Sequence, residues 1–236
     1  KPVHVKTPNS QRLRTILTAR QLLRNKLQDV ENEIRGLIRN FGYHLGKVTA
    51  RDFESRVREL IADTDLHTVA DALLLARRGL REQFGRLDDM LVRLARQDEV
   101  TRRFMTVPGV GPLVALTFRA TVDVPARFTR SRTVGAHFGL TPRKLQSGEV
   151  DRNGRISRWG DEMMRSLLYE AAQVLLTRVK RWSALKAWGA QISRRRGHKK
   201  AIIALARKIA VILHRMWIDG TEFNWGQRPE GATPSA

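Results

Sequence analysis

LHTVADALLLARRGLREQFGRLDDMLVRLARQDE, residues 66–99, is the stretch whose periodicity decides the architecture. Leu66, Val69, Leu73, Ala76, Leu80, Phe84, Leu87, Leu91 and Leu94 recur at intervals of three and four, with one pair of consecutive four-residue steps around Leu80. A three-four alternation keeps apolar side chains on one narrow stripe of an α-helix, the seam of a coiled coil, and the doubled step has the form of a stutter. At 1.5 Å per residue such a helix runs on the order of 50 Å.

Working outward, a second seam lies upstream. Ile16, Leu23, Leu27, Val30, Ile34, Leu37 and Phe41 follow the same spacing, and Arg20 interrupts it where an apolar residue is expected. Ser10 is a candidate N-cap for this helix, and Gly42 and Gly46 end it. The segment between the seams reads as irregular. Two long seams joined this way predict an antiparallel helical hairpin or a coiled coil with another subunit.

Downstream of Thr101 the pattern shortens. Phe128 to Thr141 reads as a short helix closed at Gly139, Gln146 to Trp159 as a loop or short β-hairpin, and Asp161 to Trp188 as one helix. A final helix over Lys199 to Ile218 precedes a tail. The expected fold is therefore mainly α: a coiled-coil hairpin over residues 1–100, a compact helical domain over 101–190, and a basic C-terminal helix and tail over 191–236.

Charge names the partner class. Lys and Arg total 44 against 23 acids, a formal charge of +21. Such a surface repels itself unless a polyanion screens it, and release of counterions from a phosphate backbone makes it useful. The excess is concentrated. From Ala171 to Ile218 there is no acid, but twelve basic residues, including Arg194, Arg195, Arg196, Lys199 and Lys200. A solvated face ordinarily mixes signs. The absence of cysteine removes disulfides and thiolate metal sites. Arg207 and Lys208 stand in the middle of the longest apolar stretch, which argues against a membrane span.

Two short motifs bear on chemistry. Pro108-Gly-Val-Gly-Pro112 puts Gly109 and Gly111 in a turn before an apolar helix. Such a turn either aims backbone N–H groups at a phosphate or simply joins two helices. The second is the polar run 141–160, where Ser147 precedes Gly148 and Arg143, Lys144, Arg152, Arg155 and Arg158 accompany it. A serine attacking a phosphodiester needs exposure and cations around the phosphorane; a polar turn needs only Ser and Gly.

Taken in order, Val107-Pro-Gly-Val-Gly-Pro112, Arg132-Thr-Val-Gly-Ala-His-Phe-Gly-Leu-Thr-Pro-Arg143, Ser147-Gly148, Gly154-Arg-Ile-Ser-Arg-Trp-Gly-Asp161 and the Arg165 to Ala172 stretch resemble the transposase domain of the insertion-sequence one-ten family, especially its eleven-eleven branch. That family comprises bridge-RNA-guided recombinases related to the Piv DNA invertases. Pro2-Val-His-Val-Lys-Thr7 and Asn32-Glu-Ile-Arg-Gly36 resemble the stretch next to the family's first domain, on its C-terminal side. The resemblance implies a nucleophilic serine, matched by Ser147 with Ser157 as second choice, and phosphate contacts from Arg155 and Arg158. It implies a covalent phosphoserine–DNA intermediate, strand exchange, and target and donor chosen by a structured guide RNA; the coiled-coil seams together with two-site recombination point to a dimer or tetramer. It also implies an N-terminal domain with four acidic residues that binds Mg2+.

No such acidic set is visible here. Asp29, Glu31 and Glu33 sit in a helical seam region without ligand spacing, and the six histidines form no recognisable cluster. The opening at Lys1 reads as a domain boundary or truncation, so this chain alone is expected to bind nucleic acid without recombining it, with no metal or other cofactor of its own. A bacterial cytoplasmic, nucleoid-associated location is the corresponding expectation. The alternative is a non-catalytic, oligomeric DNA- or RNA-binding protein, which needs only the charge.

Overall fold

The computed structural model describes residues 4–62, 65–147 and 150–226, with the backbone alone at 144–146 and 150–153. The mainly α expectation holds. Nine α-helices and one two-stranded sheet are present among the described residues. They divide into two compact units, Thr15–Met90 and the combination of Lys1–Arg14 with Leu91–Ala236.

The first unit contains most of α1 (Pro8–Asn40), all of α2 (Phe53–Leu60) and most of α3 (His67–Gln97). Within it α1 and α3 are antiparallel. Arg20 meets Asp88 at 2.6 Å and Glu31 meets Arg77 at 2.8 Å, so eleven residues forward on one helix correspond to eleven back on the other. Arg20, the interruption in the seam, also lies over the Phe84 ring at 4.7 Å. Its aliphatic stem and flat guanidinium cover an aromatic face while its charge finds a partner.

The seam's phase differs from the periodicity. Val69 is 53% exposed and Phe41 60%, whereas Ala70, Leu74 and the side chain of Arg77 are buried. The cause is α2, in the segment that reads as irregular. Phe53 and Val57 join Ile34, Ile38, Ala70 and Leu74 in one core. The Arg77 guanidinium lies 4.4 Å from the Phe53 ring centroid and donates to Glu31 and to the Ala50 carbonyl, so its burial leaves no charge unanswered. The α1 N-cap also moves. Thr7 Oγ1 accepts from Ser10 N–H, and the Thr7 carbonyl takes the first helical bond, from Gln11; Ser10 itself is buried.

In the second unit come α4 (Glu99–Phe104), α5 (Pro112–Val122), a 3-10 turn at Pro125–Arg127, α6 (Arg132–His137), β1 (Pro142–Ser147), β2 (Val150–Ile156), α7 (Glu162–Thr177), α8 (Ala184–Arg196) and α9 (His198–Asp219). Helix α9 is central. Ala201, Ile202, Leu205, Ala206, Ile209, Ala210 and Leu213 are fully buried along it, while Arg207, Lys208 and Arg215 face solvent. Phe104, Phe118, Phe138 and Trp217 close one end through edge-to-face contacts with centroids 5.3–5.8 Å apart. The single helix expected over Asp161 to Trp188 is two. Arg178 ends α7, the Ser183 side chain caps α8 by accepting from Lys186 N–H, and Lys186 Nζ bonds the Val179 carbonyl between them.

Candidate nucleic-acid interface

The run 141–160 forms an antiparallel hairpin. Pro142 pairs with Ile156 at its base and Ser147 with Val150 at the far end, with a register irregularity between Pro142 and Lys144. Ser147 is exposed. Gly148 lies outside the described residues, as do the side chains of Lys144 and Arg152; their backbones pair with Asn153 and Leu145. Three of the five cations stand away from Ser147. Arg143, Arg155 and Arg158 are exposed and stand at the base, about 15 Å along the strands from Ser147 at roughly 3.3 Å per residue.

Ser157 belongs to that base. It is half-buried, its N–H donates to the Thr141 carbonyl at 2.9 Å, and its own carbonyl accepts from Arg143 Nη2 at 3.0 Å. The next residue, Arg158, has φ 58°, left-handed and uncommon outside glycine. Its N–H donates to Gly139 O at 3.2 Å. A Cβ on Gly139 would approach the Trp159 nitrogen to 2.5 Å, and one on Gly160 would overlap the His137 carbonyl oxygen. The two turns therefore cross backbone to backbone. Arg165 of α7 completes the junction by donating to the Phe138 and Trp159 carbonyls at 3.4 and 3.2 Å.

Gly109 and Gly111 differ. Gly109 has φ 89°, and a Cβ there would run into the Ala171 carbonyl and approach the Leu175 nitrogen to 3.2 Å. Close packing on α7 thus accounts for this glycine without a ligand. Gly111 caps α5 in an extended conformation with open space around it.

The Arg194–Lys200 segment is a turn joining the last residues of α8 to the first of α9, and Arg194, Arg195, Arg196, Lys199 and Lys200 are all exposed. Among the described residues none of the five enters an ion pair. Lys199 and Lys200 sit on a helix N-terminus, where the macrodipole opposes positive charge. Trp182 is half-buried, and Trp188 is 38% exposed with Lys208 Nζ 6.0 Å from its ring centroid.

A buried carboxylate lies outside every motif. Asp123 sits just beyond α5 at φ 67° and accepts from Thr7 N–H, Thr7 Oγ1 and His4 Nε2 at 3.0, 2.6 and 2.7 Å. Burial pushes its pKa up, but bonds from Ser10, Thr7 and His4 outweigh this and hold it well below the usual carboxylate range. Lys6 beside it donates to the Ala120 and Thr121 carbonyls at the C-terminal end of α5. Burial first, and then the Arg14 charge, lower the Lys6 pKa. A polar residue after a helix gives no warning in sequence of a partner over a hundred positions away.

Among the described residues no three His, Asp or Glu come together to hold a metal ion, and no helix is long and apolar enough to cross a membrane. A strongly basic helical domain presenting a polar hairpin and a cationic turn without ion pairs among the described residues has the electrostatic footprint of a nucleic-acid-binding surface. Residues 101–188 match the Transposase IS116/IS110/IS902 family model. The chain is 33% identical over 228 residues to y4pF/y4sB of Sinorhizobium fredii, which carries a transposase name, covering 94% of this chain and 58% of that one. It is 32% identical over 217 residues to the transposase for insertion sequence element IS1111A of Coxiella burnetii (89% and 60%). With the transposase for insertion sequence element IS1328 of Yersinia enterocolitica it shares 25% over 228 residues (93% and 66%). The chain thus spans about 60% of the length of the first two relatives.

Proposed function

We propose that this chain is the DNA- and guide-RNA-engaging part of an insertion-sequence transposase that cleaves and rejoins DNA through a serine nucleophile. The observation carrying the proposal is the exposure of Ser147 at the far end of a hairpin within the matched transposase domain. In the proposed step Ser147 Oγ attacks phosphorus, its proton passes to a base, and the displaced sugar oxygen leaves. The resulting phosphoserine ester conserves the bond energy for religation to a second strand. Arg155 and Arg158 hold backbone phosphates near the hairpin base, and the 194–200 turn holds a further stretch. Gly111 is the better candidate of its motif for a phosphate at the α5 N-terminus. Ser157 is the alternative nucleophile; its backbone bonds fix it, and its side chain is half-buried.

The Mg2+ implied by the family has no fitting set of ligands among the described residues, so no step is routed through it. Association between copies, as a dimer or tetramer through the long helical seams, belongs to the proposal. A bacterial cytoplasmic setting, close to the nucleoid, belongs to the same reading.

A denaturing gel of the complete transposase with guide RNA and labelled target DNA tests the nucleophile. A protein-linked band present in wild type and absent in Ser147→Ala is the expected result. A band in both that disappears in Ser157→Ala moves the role to Ser157.

The unpaired turn favours a second reading, nucleic-acid binding without chemistry. It predicts tight binding, no covalent band with any serine intact, and a steep salt dependence. Replacing Arg194, Arg195 and Arg196 by Ala would then lower the slope of log affinity against log salt by about 2–3.

A further inference from the structure

Trp159 is 72% exposed, the most solvent-accessible of the exposed large aromatic residues. Exposure of an indole is costly in water, and the usual remedy, a mobile loop that lets it fold back, is blocked here. Its nitrogen and carbonyl oxygen are pressed against Gly139, Arg165 grips the same carbonyl, and left-handed Arg158 on one side and Gly160 on the other fix the chain's direction. The indole is thus held out by a rigid backbone. Three exposed arginines, Arg143, Arg155 and Arg158, belong to the same hairpin base. Among the described residues Arg155 and Arg158 enter no ion pair, and Arg143 spends one donor on a carbonyl.

We infer that Trp159 is a stacking platform for an unpaired nucleobase, with Arg155 and Arg158 seating the phosphates on either side of that nucleotide. This rests on the nucleic-acid part of the proposed function, and is independent of which serine reacts. An exposed aromatic face on a fixed backbone near cations matches a single strand, whose bases are free to stack and whose phosphates recur every nucleotide. A continuous duplex hides its base faces. A protein surface would have to supply acids to meet the arginines. Because the backbone is already fixed, only the two side-chain torsions of the indole are lost when a base covers it.

The test separates bases from phosphates. Fluorescence anisotropy would compare this chain, Trp159→Ala and Trp159→Phe on labelled strands of about 20 thymidines, about 20 uridines, and the same length of abasic DNA. Trp159→Ala is expected to weaken thymidine or uridine binding roughly tenfold and abasic binding less than about twofold. Trp159→Phe should retain most of the affinity. The stronger of the thymidine and uridine effects shows which strand supplies the base. An equal loss on abasic DNA, or no loss at all, overturns the platform. A changed sedimentation coefficient with unchanged affinity overturns it in favour of a protein contact. Binding of no strand by the wild-type chain overturns the nucleic-acid reading and the platform together, whereas the covalent-band result leaves the platform standing either way.

Discussion

Arg14 Nη2 lies 2.5 Å from Asp161 Oδ2, and the Oδ1 of the same carboxylate accepts from Met164 N–H at 2.8 Å, so one side chain both caps α7 and receives the charge of a residue near the start of α1. Asp161 directly succeeds the Trp159–Gly160 crossing, and the pair therefore braces the hairpin base. Asp161→Ala removes cap and ion pair together and is expected to cost about 1–2 kcal/mol, a fall of about 2–8 °C in melting temperature. Asp161→Asn keeps a capping oxygen and should lose less. Arg14→Ala, which breaks a partly buried pair but leaves the Asp161 cap in place, should cost about 1 kcal/mol. Calorimetry on the three variants checks the order.

Asp123 gives a pH signature. Its folded pKa is depressed, so its contribution to stability is complete above the ordinary carboxylate range and is lost as pH falls through that range towards the lower folded value. The stability gap between wild type and Asp123→Asn should stay constant from about pH 5 to 8 and narrow below about pH 4. Urea unfolding at stepped pH measures it. A gap that widens on acidification would contradict the hydrogen-bond account.

The two glycines of the PGVGP motif should behave oppositely. Gly109→Ala places a methyl against the α7 backbone at positive φ and should destabilise by more than about 2 kcal/mol or prevent folding. Gly111→Ala, extended and open, should fold with a change within about 1 kcal/mol. Soluble yield and melting temperature distinguish them.

The phase of α3 is testable in the same way. Leu74→Ala, at a fully buried position, should cost about 2–4 kcal/mol, and Val69→Ala, 53% exposed, within about 0.5 kcal/mol. A strict reading of the three-four seam expects the reverse. Chemical denaturation followed by helical circular dichroism decides between them.

Much of this was readable from one dimension. Local rules of spacing, capping and charge named the long helices, the short elements after Thr101, the hairpin option at the polar run, the basic block and the ordered motifs. These rules act within a few residues and need no partner. What faces what was not readable. The phase of α3 depended on α2, a short helix whose value lies in burying Phe53 against Arg77 and Leu74. The role of Gly109 depended on Ala171, and that of Asp123 on Thr7. Arg143 and Arg155, within eight residues of Ser147 in sequence, are separated from it by most of the length of the strand pair. Composition by itself determined that this is a basic protein suited to a polyanion, and apolar spacing that it is mainly helical. Only the tertiary structure decided which charges are spent inside the fold and which remain outside, because burial and pairing are set by contacts between distant segments that no local pattern encodes.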